Sequence, residues 1–272
     1  MKIPYIHIAS LALLFAACKK DDVASPAVTK YLQSIIADNG DSTAVEFNMD
    51  KSVYRLVVFG KDDHFSAAIP TYESGSSHVI KVEVTTDPIT YQTYVHKVIT
   101  YNDLKVSTVS FYNYDGTLAS ADSLVFGPSG NLDTIYYFEL NSDTNLKELR
   151  KKYVQTWNAK GNIIKQEEIY LNEGASTITT YTYDNKLNPV LKVTGYYLVN
   201  FDEDQLPALL SANNILTSSA NNTGTGYTAS TNNTYEYDVD GYPIVMTVKS
   251  MSQYSGQDLR SDSAKLKLHY GK

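Results

Sequence analysis

Short runs of alternating apolar and polar residues, separated by polar turns, fill most of the chain after residue 29. Residues 181–190 and 235–244 show this pattern most clearly, each with two tyrosines at a spacing of two, a polar turn and an apolar return. Side chains two residues apart lie on the same face of a β-strand. Each stretch therefore predicts one β-hairpin, and weaker copies recur along the chain.

Four segments share an aromatic residue, a polar turn and an apolar return. Their aromatic residues are Phe126, Trp157, Tyr183 and Tyr237. In three of them a glycine follows four residues later, where it supplies the left-handed backbone conformation of a tight turn. The segment at Tyr183 has Leu187 in that place, which indicates another left-handed residue or a more open turn.

Three further patterns complete the secondary-structure prediction. Asn39-Gly40, between two apolar runs, predicts a hairpin turn. Residues 202–214 predict a short helix, because acidic residues and a proline lie at its start and asparagine at its end. Residues 218–233 are rich in Ser, Thr, Asn and Gly and predict a loop.

These elements predict a mainly β fold, built as a single domain over residues 29–272. Consecutive hairpins form an antiparallel sheet that is strongly twisted or curled into an incomplete barrel. The short helix near 202–214 is expected to cover its concave side.

Composition narrows the function. The 272 residues include 23 tyrosines, which favour strands, and carry a net charge of −7. Nucleic acid is an unfavourable partner for an acidic protein, because its phosphates require basic patches.

The N-terminal residues predict export. Residues 1–17 contain an apolar run too short to span a bilayer, followed by Cys18, the single cysteine of the chain. This stretch resembles a bacterial lipoprotein signal, although Phe15 stands where such signals carry leucine. The resemblance implies a signal peptide at 1–17, an acylated Cys18 and a polar tether at 18–28; the alternative is an ordinary cysteine in a plain secretory signal.

The tract that follows Cys18 bears on location. Lys19-Lys20-Asp21-Asp22 resembles the surface-export signal of Bacteroidetes lipoproteins, and the alternative is a solvated linker. The prediction is an outer-membrane, lipid-anchored protein displayed on the cell surface.

Three motifs together resemble a known type of protein. Residues 183–189, 206–214 and 237–243, in this order, are similar to the C-terminal half of uncharacterised Bacteroidetes-type surface lipoproteins with Rhs/YD-like β-hairpin repeats. The resemblance implies an antiparallel sheet of hairpins and no established chemistry.

Motifs for catalysis are absent from the sequence, so we predict no enzyme, no catalytic residue, no metal and no cofactor. The histidines are dispersed, and no nucleophile elbow or phosphate-binding glycine loop occurs. Asp238-x-Asp240-Gly241 is similar to the start of a calcium loop, but a hairpin turn explains it better. Residues 202–204 could bind calcium or act as an acid pair, yet acidic residues are favoured at a helix start by its dipole alone.

The tyrosine pairs are the candidate ligand-facing residues. On an open face they would form a platform for sugars or apolar ligands, and on a closed face they would be core. We predict a non-catalytic, lipid-anchored envelope protein that binds a glycan, a host protein or a partner protein; the alternative is a carrier that holds a lipid or other apolar ligand in a half-barrel groove. The candidate residues are Tyr112, Tyr114, Tyr181, Tyr183, Tyr235 and Tyr237.

Overall fold

The computed structural model describes residues 29–61, 64–141, 143–144 and 146–271. These residues form a closed antiparallel β-barrel of 16 strands, in which each strand pairs with its neighbours in sequence. The predicted signal peptide and Cys18 lie outside the described residues. The strands are β1 (Tyr31–Ala37), β2 (Ser42–Phe47), β3 (Val53–Phe59), β4 (Phe65–Tyr72), β5 (Val79–Thr85), β6 (Tyr94–Asn102), β7 (Lys105–Tyr112), β8 (Leu118–Phe126), β9 (Leu132–Leu140), β10 (Lys147–Trp157), β11 (Ile163–Tyr170), β12 (Ala175–Leu187), β13 (Asn213–Asn222), β14 (Tyr227–Tyr237), β15 (Pro243–Tyr254) and β16 (Gln257–Gly271).

Closure of the sheet shows that the prediction of an incomplete barrel is wrong. The last strand pairs with β1 as well as with β15, so that Leu268 lies opposite Ile35 and Ala264 lies opposite Val248. Hairpin patterns report only pairing between neighbours in sequence, so the pairing of the two chain ends leaves no local signature. Closure also removes the half-barrel groove of the predicted carrier, and it leaves no free sheet edge among the described strands.

The two ends of the barrel are defined by the strand directions. Because neighbouring strands are antiparallel, all odd-numbered strands begin at one end, which we call the proximal end. Thr29, the first described residue, precedes β1 and lies at this end. The proximal turns include residues 48–52, 127–131, 158–162 and 238–242, and the distal turns include 38–41, 113–117, 171–174 and 223–226.

Three of the four repeated segments form the predicted hairpin turns, all at the proximal end. Gly130, Gly161 and Gly241 have φ values of 84°, 79° and 83°, which confirms their left-handed role. In the last of these turns, Asp238 Oδ1 accepts the backbone N–H of Asp240 at 3.0 Å. This aspartate is therefore part of the turn itself.

The fourth segment, at Tyr183, is the place where the chain leaves the wall, so the hairpin predicted for 181–190 is wrong. β12 continues to Leu187, and residues 188–212, which we call the plug, enter the barrel before β13 begins. Asn188 is extended, with φ −72°, and its side chain accepts the N–H of Val190. Without a left-handed residue the chain starts a helical turn instead of a hairpin. The plug contains 3-10 turns at Pro189–Lys192 and Glu203–Gln205 and two short helices, α1 (Tyr196–Val199) and α2 (Leu206–Leu210).

The helix predicted over 202–214 is confirmed only in its first part. Asp202 accepts the N–H of Asp204 at 2.9 Å and caps the 3-10 turn, after which α2 ends at Leu210. Asn213 belongs to β13, where it pairs with Leu187. Strand pairing therefore overrides the local helix pattern.

The predicted loop at 218–233 is also wrong, whereas the hairpin at Asn39-Gly40 is confirmed. Gly40 has φ 97° between β1 and β2. Residues 218–233 form parts of β13 and β14 around the turn at 223–226. Strands that are polar on both faces carry no hydrophobic alternation, so their sequence pattern predicts a loop.

The apolar side chains of the plug pack mainly against one half of the wall. Its side chains, among them Tyr196 and the fully buried Leu206, form one apolar cluster with wall residues from β2 to β10. Gly195 allows the close approach, because a Cβ there would lie 2.7 Å from Tyr72 Oη. We call β2–β10 the filled half of the barrel, and β11–β16 together with β1 the open half.

The outer wall of the open half is mainly polar, although Ile36 and Met251 are also exposed there. Thr179 and Tyr181 face the interior, so their neighbours Thr180 and Thr182 face outwards, and both are exposed. The same alternation places charged side chains at mid-strand positions of the outer wall: Lys165, Glu167, Glu236, Lys249, Lys265 and Lys267.

Candidate functional site

Two clefts lie inside the open half, on either side of the plug turn that contains Asp204 and Gln205. Asp204 lines the first, which we call the distal cleft, and Gln205 lines the second, the proximal cleft. Their volumes are about 470 and 320 Å³. Both fall within or near the range of ligand sites, roughly 300–1,000 Å³.

The distal cleft is polar and lined by tyrosines. It is built from inward-facing residues at the distal ends of β11–β14, the turn between β13 and β14, and the plug residue Asp204. On β11 and β12 these residues follow the spacing of two that one strand face requires. The lining residues are Gln166, Glu168, Tyr170, Thr177, Thr179, Tyr181, Asp204, Ala220, Asn222, Thr225, Tyr227 and Ala229.

A hydrogen-bonded chain fixes the plug against the wall of this cleft. Tyr181 Oη donates to Gln166 Oε1 at 3.2 Å, and Gln166 Nε2 donates to the carbonyl oxygen of Glu203 at 2.7 Å. Gln166 itself is buried. These hydrogen bonds of the Gln166 side chain fix the position of the plug beside the cleft.

The acidic residues of the cleft have a basic partner. Glu168 accepts a hydrogen bond from Lys151 Nζ at 2.8 Å, and the Lys151 ammonium also lies 4.9 Å from the ring centroid of Tyr153. Burial lowers the pKa of Lys151, but Glu168 and the nearby acids more than offset it, so that the pKa is raised. Burial raises the pKa of Asp204, and the negative charge of Glu168 raises it further.

A second cluster of ionisable side chains, Lys97 and Asp122, lies behind the cleft, between the plug and the filled half. Lys97 is buried and donates to the carbonyl oxygens of Val199 and Phe201 at 3.1 and 3.0 Å, and burial lowers its pKa to about 8. Asp122 is fully buried, and its pKa is raised well above the ordinary value, first by burial and then by Glu203 beside it. Both carboxyl oxygens of Asp122 are buried without a hydrogen-bond partner, and an unpaired buried charge is unfavourable, so the protonated form of Asp122 is favoured. This group holds the plug and does not open into the distal cleft.

The predicted tyrosines separate into three groups. Tyr181 lines the distal cleft and Tyr235 the proximal cleft. Tyr183 and Tyr237 use their hydroxyls within the fold, because Tyr183 Oη bonds to the carbonyl of Ile163 at 2.5 Å and Tyr237 Oη to Asp184. Tyr112 ends β7 and Tyr114 lies in the distal turn that follows it, both in the filled half and apart from both clefts.

The acidic motifs of the sequence serve the turns and the plug. Asp238 and Asp240 form ion pairs with Lys30 at 2.6 and 2.5 Å. Among the described residues, no group of three or more His, Cys, Asp or Glu side chains has the arrangement of a metal site.

Sequence reasoning missed most of the distal cleft. Gln166, Glu168 and Tyr170 have the same spacing of two as the tyrosine pairs, so their common face could have been found. That this face is the interior, and that Asp204 faces it from the plug, could not.

Comparison with known proteins identifies the fold. A porin-like protein from Bacteroides uniformis has 10% sequence identity and a TM-score of 0.58, covering 90% of this chain and 99% of that chain. The barrel therefore shares its fold with that protein. A porin-like protein from Bacteroides vulgatus (12% identity, TM-score 0.38, 89% and 99% covered) and a chain of the Photorhabdus luminescens Tc holotoxin pore (11% identity, TM-score 0.24, 84% and 15% covered) are too distant to support an argument.

No family model and no curated protein matches the chain. Within the described residues, no helix is long and apolar enough to cross a membrane.

Proposed function

We propose that this protein is a non-catalytic barrel of the cell envelope that binds a neutral glycan in its distal cleft. The observation that carries this proposal is the lining of the cleft, in which tyrosine rings alternate with carboxylate, amide and hydroxyl groups. Aromatic rings pack on the apolar faces of sugars, and the polar groups bond to their hydroxyls. Glu168 and Asp204 disfavour an anionic sugar, because the ammonium of Lys151 beside them is already paired with Glu168.

We further propose that the barrel stands in water and is held at the outer membrane, on the cell surface, by a lipid on Cys18. A barrel wall embedded in lipid carries an outward apolar band, whereas Lys165, Glu236 and Lys267 lie on this outer wall. The described chain begins at the proximal end, so a tether there points the distal cleft away from the membrane.

Glycan binding is tested by calorimetric titration of neutral oligosaccharides against wild type, Tyr227→Ala and Tyr114→Ala. Tyr227 lines the cleft, whereas Tyr114 is 78% exposed at the same end and serves as the matched control. We expect Tyr227→Ala to weaken binding about three- to tenfold, as the loss of one aromatic contact implies. Equal affinities of the two variants would contradict the assignment of the cleft.

The same titration tests the absence of catalysis. Chromatography of the oligosaccharide after incubation is expected to show it unchanged. Its hydrolysis would make the protein a glycosidase with Glu168 and Asp204 as the acid pair, which Glu168→Gln and Asp204→Asn would each abolish.

The anchor is tested separately in cells. Metabolic labelling with a radioactive fatty acid is expected to mark the wild type and not Cys18→Ser, and protease treatment of intact cells is expected to degrade the wild type. A labelled Cys18→Ser protein, or full protection from protease, would overturn the anchor or the surface location respectively.

A further inference from the structure

The proximal cleft differs in chemistry from the distal one. It lies between the plug and the part of the wall formed by β1 and β13–β16, and its lining is mainly apolar. Among the described residues that line it, none is Asp, Glu, Lys, Arg or His. The apolar surface comes from both sides of the cleft: Leu32, Ile35, Leu209, Met246 and Leu268.

One buried polar group in this lining has no partner. Asn233 is 9% exposed, and its Nδ2 donates to the carbonyl oxygen of Ile215 at 3.0 Å. Its Oδ1 is buried and makes no hydrogen bond. Buried amide oxygens are almost always paired, because an unpaired one loses its bonds to water without replacement. By contrast, the hydroxyl of Tyr235 beside it is satisfied by the same Ile215 carbonyl at 2.8 Å.

We propose that the proximal cleft is a second binding site, for a small neutral apolar molecule that carries one hydroxyl or N–H donor. The donor bonds to Asn233 Oδ1, and the apolar body packs between Leu209 of the plug and Leu268 of the wall. The volume of about 320 Å³ limits the ligand to a compact one, about the size of a fused two-ring system. The absence of ionised side chains from this lining disfavours a charged ligand. This site is independent of glycan binding in the distal cleft.

Two probes of nearly the same shape test the proposal: 1-naphthol, which has a donor hydroxyl, and 1-methoxynaphthalene, which has none. Calorimetric titration of the full barrel is expected to show one site that binds the naphthol at least tenfold more tightly than the ether. A polar group that loses its partner discriminates strongly against the ligand lacking the donor.

Three variants locate the site. Asn233→Leu is expected to bind both probes with equal affinity, and Asn233→Ala serves if the leucine variant does not fold. Ala208→Trp places a ring from α2 into the cleft and is expected to abolish binding of both probes. Thr234→Trp is the matched control, because Thr234 is exposed on the outer face of the same strand as Asn233.

The proposal is overturned by any of three results: no binding of 1-naphthol, unchanged binding by Ala208→Trp, or a preference for the hydroxyl that persists in Asn233→Leu. Tyr227→Ala changes only the distal cleft and is expected to bind 1-naphthol as the wild type does. A failure of glycan binding with retained naphthol binding would therefore count against the proposed function alone.

Discussion

The two halves of the barrel share one architecture and differ in what their inner faces contact. In the filled half the inward residues are aliphatic, as Val82, Val109 and Ile135 show, and each of these is fully buried against the plug cluster. In the open half the corresponding positions hold residues such as Thr179 and Asn222, which line the distal cleft. The same hairpin unit thus serves as core wall where its inner face is aliphatic and packs on the plug, and as cleft wall where its inner face is polar.

The two halves also stabilise the plug through different interactions. Apolar burial is concentrated between the plug and β2–β10, while on the other side the plug meets the wall through hydrogen bonds such as that from Gln166 to Glu203. Apolar burial scales with the area removed from water, whereas a hydrogen bond replaces bonds to water and contributes less. Contacts with the filled half therefore contribute more to the stability of the plug than contacts with the open half do.

The largest loss of stability is expected from truncating a buried apolar side chain of the plug. Leu206→Ala removes a fully buried side chain and should lower the free energy of unfolding by about 2–5 kcal/mol, because it leaves a cavity. Val248→Ala, at an inward position of the open half, is the control and should lose about 1 kcal/mol. Urea denaturation measures both, and equal losses would remove the distinction between the halves.

A smaller effect concerns the buried carboxyl at the boundary between the plug and the filled half. The pKa of Asp122 is raised in the folded state, so its contribution to stability is fully present below about pH 4 and declines as the pH rises towards the folded value. Asp122→Asn keeps the shape of the protonated acid and cannot ionise. We expect the variant to be more stable than wild type at pH 7 by roughly 1–3 kcal/mol, a difference that shrinks at pH 5.

Urea denaturation at pH 5, 6 and 7 checks this expectation. The range stays below the pKa of Lys97, which burial lowers to about 8, so this lysine stays mainly charged in the wild type. A stability difference that is independent of pH would show that Asp122 does not titrate in this way.

The smallest change in stability is expected from a substitution on the outer wall of the open half. Thr180→Lys adds a charge at an exposed outward position and should change the stability by no more than about 0.5 kcal/mol in detergent-free buffer. A wall that faces lipid would lose roughly 2–4 kcal/mol near the bilayer centre. A protein that requires detergent to stay folded would contradict a barrel standing in water.

Much of the local structure could be predicted, and the exceptions have identifiable causes. The glycines at 130, 161 and 241 marked their turns, because the left-handed conformation is a property of the residue itself. The hairpin at 181–190 failed at Leu187, the one repeat without that glycine, and there the plug begins. The predicted loop at 218–233 failed because these strands are polar on both faces and carry no hydrophobic alternation.

The candidate site was less predictable than the fold. The spacing of Tyr181 and Tyr183 put both rings on one face, but one lines a cleft and the other bonds to Ile163. Which of the two occurs depends on how far along the strand the plug crosses the interior, and that position is set by packing rather than by the local pattern.

By itself, the sequence determined many of the strands, most turns and their antiparallel order, because alternation and turn residues act over a few neighbouring positions. Only the tertiary structure decided that β16 returns to β1, that residues 188–212 lie inside the barrel, and that Glu168 and Asp204 share one cleft. These features depend on contacts between residues far apart in the chain. Such contacts form only where the closed wall and its plug together bury enough apolar surface to offset the loss of chain entropy. No short stretch of sequence determines whether this condition is met.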